Sequence, residues 1–228
     1  MKNKKAEQKR RREEIKAQRK KEKSLNRNIP TIKEKPTILI VCEGKNTEPS
    51  YFNSFKLSSA TVKSIGEGYN TVSLVNRAVF LSKQKKYDQV WCVFDKDDFS
   101  NNNFNSAITL ATQNNLNVAY SNQAFEYWII LHFNDHQGAG MLRSSYDELI
   151  NKYLKPFGVS YDGKKSKIIT DDIFDILESK DTKTSKIRRL QAIERAERNY
   201  LLLSHQNPAE EESSTTVFKL VVELDKYR

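Results

Sequence analysis

Apolar positions change their rhythm several times along this chain, and each change predicts an element. "TILIVC" (37–42) and "DQVWCVFD" (88–95) are near-continuous apolar runs with polar residues beyond them. That is the pattern of strands covered on both faces. "ATVKSI" (60–65) and "LNVAYS" (116–121) predict two further strands. Between them the spacing turns helical. "TVSLVNRAVFLSKQKK" (71–86) places apolar side chains at 72, 75, 79 and 80, and "NFNSAITLATQNN" (103–115) predicts another helix. A helix is expected to open near Thr47, with Thr47 as N-cap and Pro49 in its first turn. "AFEYWIILHF" (124–133) predicts a nearly all-apolar helix with Ser121 or Asn122 as its cap. Strands alternating with helices in this way argue for a parallel sheet covered on both faces. Beyond residue 140 the pattern predicts four helices and no strong strand between them. The expected organisation is a tail (1–30), an α/β core (31–140) and a helical C-terminal part of the same domain (141–228).

Charge changes the picture at one end only. Residues 1–28 hold thirteen Lys/Arg against four Glu, and so carry nearly all of the formal net charge of +10. The pI of 9.4 therefore describes the tail and not the remainder, which is close to neutral. Such a segment is too polar to offset its ordering entropy by burial, so it reads as disordered or transiently helical. It is either an arm for nucleic acid or a solvated tail. No apolar run approaches the eighteen residues a spanning helix needs, and no apolar stretch follows the N-terminal charges as in a secretory signal. No membrane association and a cytoplasmic location are expected. Cys42 and Cys92 lie inside apolar runs and read as small buried hydrophobes in a reducing compartment.

Candidate chemistry sits where the strands end. In an open α/β sheet, ligands bind beyond the carboxyl ends of the strands. Glu43 follows the first apolar run, and Asp95, Lys96, Asp97 and Asp98 close the third. Period-two alternation would put Asp95 and Asp97 on one side of an extended segment. Paired carboxylates there suit Mg²⁺ or Mn²⁺ with water completing the shell. Alternatively the pair belongs to a turn, with Asp98 as a helix cap. Glu126 stands early in the apolar helix, where an unpaired carboxylate is costly. It is either a functional acid or one on a solvent stripe favoured by the helix dipole. His132 reads as a buried structural histidine. Gly44 would let a phosphate approach the backbone, and Lys45 and Lys96 either contact phosphate or screen neighbouring charge. Over Thr184 to Ser204, Arg188, Arg195 and Arg198 fall on one face opposite Ile187, Leu190, Ile193, Ala196 and Leu201. That stripe is either a nucleic-acid guide or an ordinary solvent face.

"ILIVCEGKNTEPSYFNSF", "WCVFDKDDF" and "SNQAFEYWIILHF", in this order, resemble the RloB family, which includes AbiLii-like abortive-infection proteins. The resemblance is strongest over residues 37–134. Since RloB proteins are similar to the Toprim superfamily, it implies a Toprim-like, mostly parallel sheet flanked by helices, with a helical C-terminal extension and a basic N-terminal tail. It implies that Glu43, Asp95 and Asp97 are the catalytic acids and bind Mg²⁺ or Mn²⁺, with Glu126, or Asp98 in its place, completing the metal shell. The implied function is a metal-dependent nuclease of RNA or DNA in antiphage defence, often beside an AAA/ABC-type ATPase partner. A catalytically idle nucleic-acid- or partner-binding subunit is the alternative. No Walker-type phosphate loop is present, so the chain itself is not expected to be an ATPase.

Overall fold

The computed structural model describes residues 10–17, 35–64, 71–137, 140–141 and 143–228. Two compact units divide the chain, residues 1–34 and residues 35–228. In the first, residues 10–17 form a short helix, α1, with Arg10 reaching Glu14 one turn on at 3.3 Å. The rest of the tail lies outside the described residues.

The second unit is built on a five-stranded sheet in the order β2-β1-β3-β4-β5. β1 (Ile38–Cys42), β2 (Ala60–Ser64), β3 (Gln89–Asp95) and β4 (Asn117–Asn122) are mutually parallel, whereas β5 (Ser214–Thr215) runs antiparallel to β4. The predicted α/β class holds. β5 was not foreseen, because two hydroxyl residues carry no apolar periodicity. Hydrogen bonds rather than burial of an apolar face hold it, including Ser121 Oγ to Thr215 Oγ1 at 3.0 Å.

The apolar runs are explained by two cores. Ile38, Ile40 and Cys42 project into one, and Leu39 and Val41 into the other, as strand alternation requires. β3 divides in the same way, with Trp91 and Val93 on the first side and Cys92 and Phe94 on the second. Helices α3 (Thr71–Gln84) and α4 (Asn101–Gln113) cover the second side through Leu74, Ala78, Phe104 and Ala107. The first side is covered by α2 (Thr47–Asn53), α5 (Glu126–Leu131), α6 (Arg143–Leu154), α7 (Asp171–Glu178), α8 (Arg188–Leu201) and α9 (Val217–Asp225). The C-terminal helices thus complete this layer together with α2 and α5. Cys42 and Cys92 are free and buried, as expected. His132 is buried too, with Nδ1 3.0 Å from the Trp128 carbonyl, and burial pushes it down to about 3.

Strand order places the site. From β1 the chain crosses through α2 to β2 on one flank, then through α3 to β3 on the other. The sequence of crossovers therefore reverses between β1 and β3, and their carboxyl ends form a crevice at a topological switch point.

Candidate functional site

Glu43 and Asp95 meet at that crevice. Cys42 is in register with Val93, and the Glu43 amide donates to the Val93 carbonyl at 2.9 Å. The two acids therefore leave adjacent parallel strands at the same sheet edge. The Asp95 amide donates to Glu43 Oε2 at 3.3 Å, which orients that carboxylate. Asp95 itself is 8% exposed, and its Oδ2 accepts from the Phe125 amide at 3.0 Å. Its Oδ1 is buried with no hydrogen-bond partner among the described residues. Burial raises the Asp95 carboxyl well above the usual range, and repulsion from Glu48, Glu126 and Glu43 adds to the rise.

Glu126 opens α5 at 6% exposure. The helix has no side-chain cap of its own, and neither Ser121 nor Asn122 serves as one. The Asn122 side chain donates instead through Nδ2 to the Pro208 and Ala209 carbonyls, each at 3.0 Å. Asp95, reaching over from β3, satisfies the amide at the start of the helix. Burial pushes the Glu126 carboxyl up. Tyr161, from the C-terminal layer, donates its hydroxyl to Glu126 Oε1 at 2.9 Å and lies 3.3 Å from Thr47 Oγ1.

Glu48 is the acid that sequence reasoning passed over. Thr47 is the first helical residue and not the cap, which is Asn46, so Glu48 falls within the first turn of α2 and is 5% exposed. Its carboxyl is pushed up to about 7, by burial and then by repulsion from Glu126. Its own amide and that of Gly44 donate to it and pull the other way. A Cβ at position 44 would lie 2.2 Å from Glu48 Oε2. The space beside Gly44 is therefore filled by this acid and not left for a phosphate. Lys167, in the loop after Tyr161, adds a positive field that opposes the rise at both Glu48 and Glu126. The one available signal for Glu48 was an acid in a helical first turn flanked by a strand-end glycine. Tyr161 and Lys167 had none, since long-range packing alone brings them here.

The remaining predicted residues are placed differently. Asp97 does not continue the strand: it adopts φ 38° and its amide donates to the Gln123 carbonyl at 3.0 Å. The alternation argument for an extended Asp-x-Asp pair thus fails, although Asp97 stays half-buried beside the crevice. Asp98 is exposed, and Ser100 caps α4 in its stead by accepting from the Asn103 amide. Lys96 turns its ammonium onto the loop, donating to the carbonyls of Phe99 at 2.5 Å and Asp97 at 3.4 Å. Lys45 is exposed.

The phase expected for α8 holds only in part, since Ala196 is buried, Ile193 packs on the core and Arg198 is exposed, but other positions depart from it. Leu190 and Leu201 are exposed, while Arg188, Arg189, Gln191, Ala192, Ala196 and Asn199 are buried. Arg188 donates to Ser179 Oγ at 2.6 Å and the Lys180 carbonyl at 2.8 Å, and Arg195 donates to the Leu131 carbonyl at 2.7 Å. Arg198 pairs with Asp135. These three guanidinium groups knit the helical layer together.

Four carboxylates, Glu43, Glu48, Asp95 and Glu126, thus belong to one electrostatic cluster at the strand ends. Among the described residues, no group of three or more His, Cys, Asp or Glu side chains is already drawn together as a metal cage. The donor chemistry nonetheless fits a hard divalent cation, because all four supply oxygen and Asp95 Oδ1 has no other partner. No described helix is long and apolar enough to cross a membrane. No curated protein and no solved structure is matched by the chain. The family model described as RloB-like protein matches residues 38–224, most of the chain and all of the strands just described, and the chain belongs to that family.

Proposed function

We propose that the chain is a Mg²⁺- or Mn²⁺-dependent phosphodiesterase acting on RNA or DNA. The observation that carries this reading is the meeting of Glu43 and Asp95 at the switch point, with Glu48 and Glu126 close enough to raise the Asp95 carboxyl. Gathering costly acids where a ligand binds has a chemical purpose when a cation or a proton must be handled there. A bound divalent ion supplies charge neutralisation on the phosphate, an activated water and a stabilised leaving oxygen. Asp95 and Glu43 are the residues that would hold it, with Glu126 or Glu48 joining after side-chain rotation. The Asp95 amide keeps Glu43 oriented, and Tyr161 keeps Glu126 oriented. Glu48, with its carboxyl at about 7, is able to hold or release a proton near neutral pH. The antiphage role and an AAA/ABC-type ATPase partner belong to this proposal through the family resemblance alone.

A second reading, an idle nucleic-acid- or partner-binding subunit, is favoured by one observation. The acids are held by Tyr161 and by backbone amides and are not drawn together as a cage. One experiment separates the two. Wild type and Asp95→Ala are titrated with Mg²⁺ and Mn²⁺ on mixed DNA and RNA substrates, with and without the ATPase partner. The nuclease reading expects metal-dependent cleavage that Asp95→Ala lowers by more than about a hundredfold, beyond the 10–100-fold typical of groups that merely support a ligand. No cleavage by wild type with partner present favours the idle subunit, and equal cleavage by both proteins removes Asp95 from the reaction and overturns the nuclease reading of this site.

A further inference from the structure

A cluster of carboxylates repels a polyanion, so a nucleic-acid substrate needs positive charge at the rim of the site. The α8 arginines do not supply it, being committed to protein partners. The loop after Tyr161 has the required form. Its sequence, Asp162-Gly163-Lys164-Lys165-Ser166-Lys167, carries three lysines against one aspartate. That aspartate is turned onto the loop's own backbone. Oδ1 accepts from the amides of Lys164 at 3.2 Å and Lys165 at 3.0 Å, and Oδ2 from that of Ser166 at 3.3 Å. The Lys167 amide closes the loop onto the Asp162 carbonyl at 2.8 Å.

The base of the loop is equally determined. Asn151 accepts from the Tyr161 amide and donates to its carbonyl, both at 2.8 Å. A Cβ at Gly163 would lie 1.9 Å from Asp147 Oδ1, so the backbone passes hard against α6. Lys164 and Lys165 are thereby left exposed, and neither forms an ion pair with a described residue. The loop begins at the tyrosine bonded to Glu126 and ends at the lysine whose field reaches Glu48 and Glu126. It borders the acid cluster at both ends.

We propose that the loop of residues 162–167 grips the phosphate backbone of a nucleic acid through Lys164 and Lys165 and delivers it to the acid cluster. The delivery rests on the nuclease reading, but the grip does not. The chain carries its own control in Asp181-Thr182-Lys183-Thr184-Ser185-Lys186, which repeats the spacing. Asp181 Oδ1 accepts from the amides of Lys183 at 2.8 Å and Thr184 at 2.9 Å. There, however, Lys186 is tied to Glu194 at 2.9 Å and Asp181 pairs with Arg188 at 3.7 Å.

The test compares full-length wild type, Lys164→Gln/Lys165→Gln and Lys183→Gln/Lys186→Gln. Binding to a short fluorescent single strand of RNA or DNA is followed by anisotropy over a range of salt in EDTA. The basic tail contributes equally to all three proteins. Two lost phosphate contacts should reduce the salt slope by about 1.4 and weaken binding by about 25-fold at about 0.1 M salt. The second double variant should bind as wild type. An unchanged slope in the first variant, or the same loss in both, overturns the grip. With Mg²⁺ present, a rise in KM at constant kcat supports it, and a fall in kcat with unchanged binding overturns it. If no metal-dependent cleavage is found but the slope difference is, the nuclease reading falls while the grip stands.

Discussion

Glu48 shows how much a single buried acid decides. Its carboxyl is at about 7 in the folded chain against an ordinary 4.5, with burial as the first cause. Below about pH 4.5 it is protonated in both folded and unfolded chains and costs nothing. Between 4.5 and 7 the unfolded chain releases the proton and the folded one keeps it, so stability falls as pH rises, by on the order of 3 kcal/mol, and then levels. Asp95 and Glu126 are shifted upward too and add to the same trend. Glu48→Gln should therefore flatten the decline and be more stable than wild type at pH 8 in the absence of divalent metal. Urea melts at pH 5 and pH 8 check this, and parallel pH profiles for the two proteins would contradict it.

At the scale of the element, α8 carries the clearest lesson. Helical spacing assigned its aliphatic residues inward and Arg188, Arg195 and Arg198 outward, yet Arg188 is buried, as is its neighbour Arg189, and Leu201 is 71% exposed. The reason lies outside the helix. Arg189 Nε meets Glu178 Oε1 of α7 at 2.7 Å, and its guanidinium also pairs with Asp225 of α9. A charge finds such partners only once three helices are assembled, so no local pattern could announce it. Arg189→Ala should cost about 1.5–3 kcal/mol, because it removes the buried partner of two acids and leaves them only the more exposed Arg228. Arg198→Ala, which breaks a more exposed pair with Asp135, should cost under about 1 kcal/mol. Equal shifts of the two urea midpoints would overturn the distinction. The same reasoning separates what could be read in advance from what could not. β1 and β3 were legible because burial on both faces leaves an unbroken apolar run. Glu43 and Asp95 were legible because they end those runs. Tyr161 and β5 were not, because one is an aromatic in a polar loop and the other a pair of hydroxyl residues held by cross-chain hydrogen bonds.

For the second unit as a whole, the C-terminal third is part of the site and not an appendage to it. It covers one face of the sheet together with α2 and α5, supplies Tyr161 to Glu126 and sets the positive field of Lys167 on two acids. On the proposed function, stability and cation binding would be linked across the domain. If the acids hold Mg²⁺, its binding relieves their mutual repulsion and favours the folded state. At free Mg²⁺ about a hundredfold above its dissociation constant, wild type should gain roughly 2.7 kcal/mol. Asp95→Asn should lose that gain while being more stable than wild type in EDTA, because a buried, crowded charge has gone. Calorimetry of both proteins at pH 8 with and without Mg²⁺ makes the comparison, and an identical response to Mg²⁺ would exclude Asp95 from the binding set.

The contact between Gly44 and Glu48 has a consequence for how this chain can vary. A side chain at 44 would occupy the place of the Glu48 carboxylate, 2.2 Å away. The two positions are thus not independent under mutation. A residue larger than glycine at 44 is tolerated only if 48 shrinks or swings away, and either change moves the Glu48 carboxylate from its place beside the turn. Drift at position 44 is confined by the volume of a neighbour four residues on, so that one glycine preserves a charge it does not itself carry.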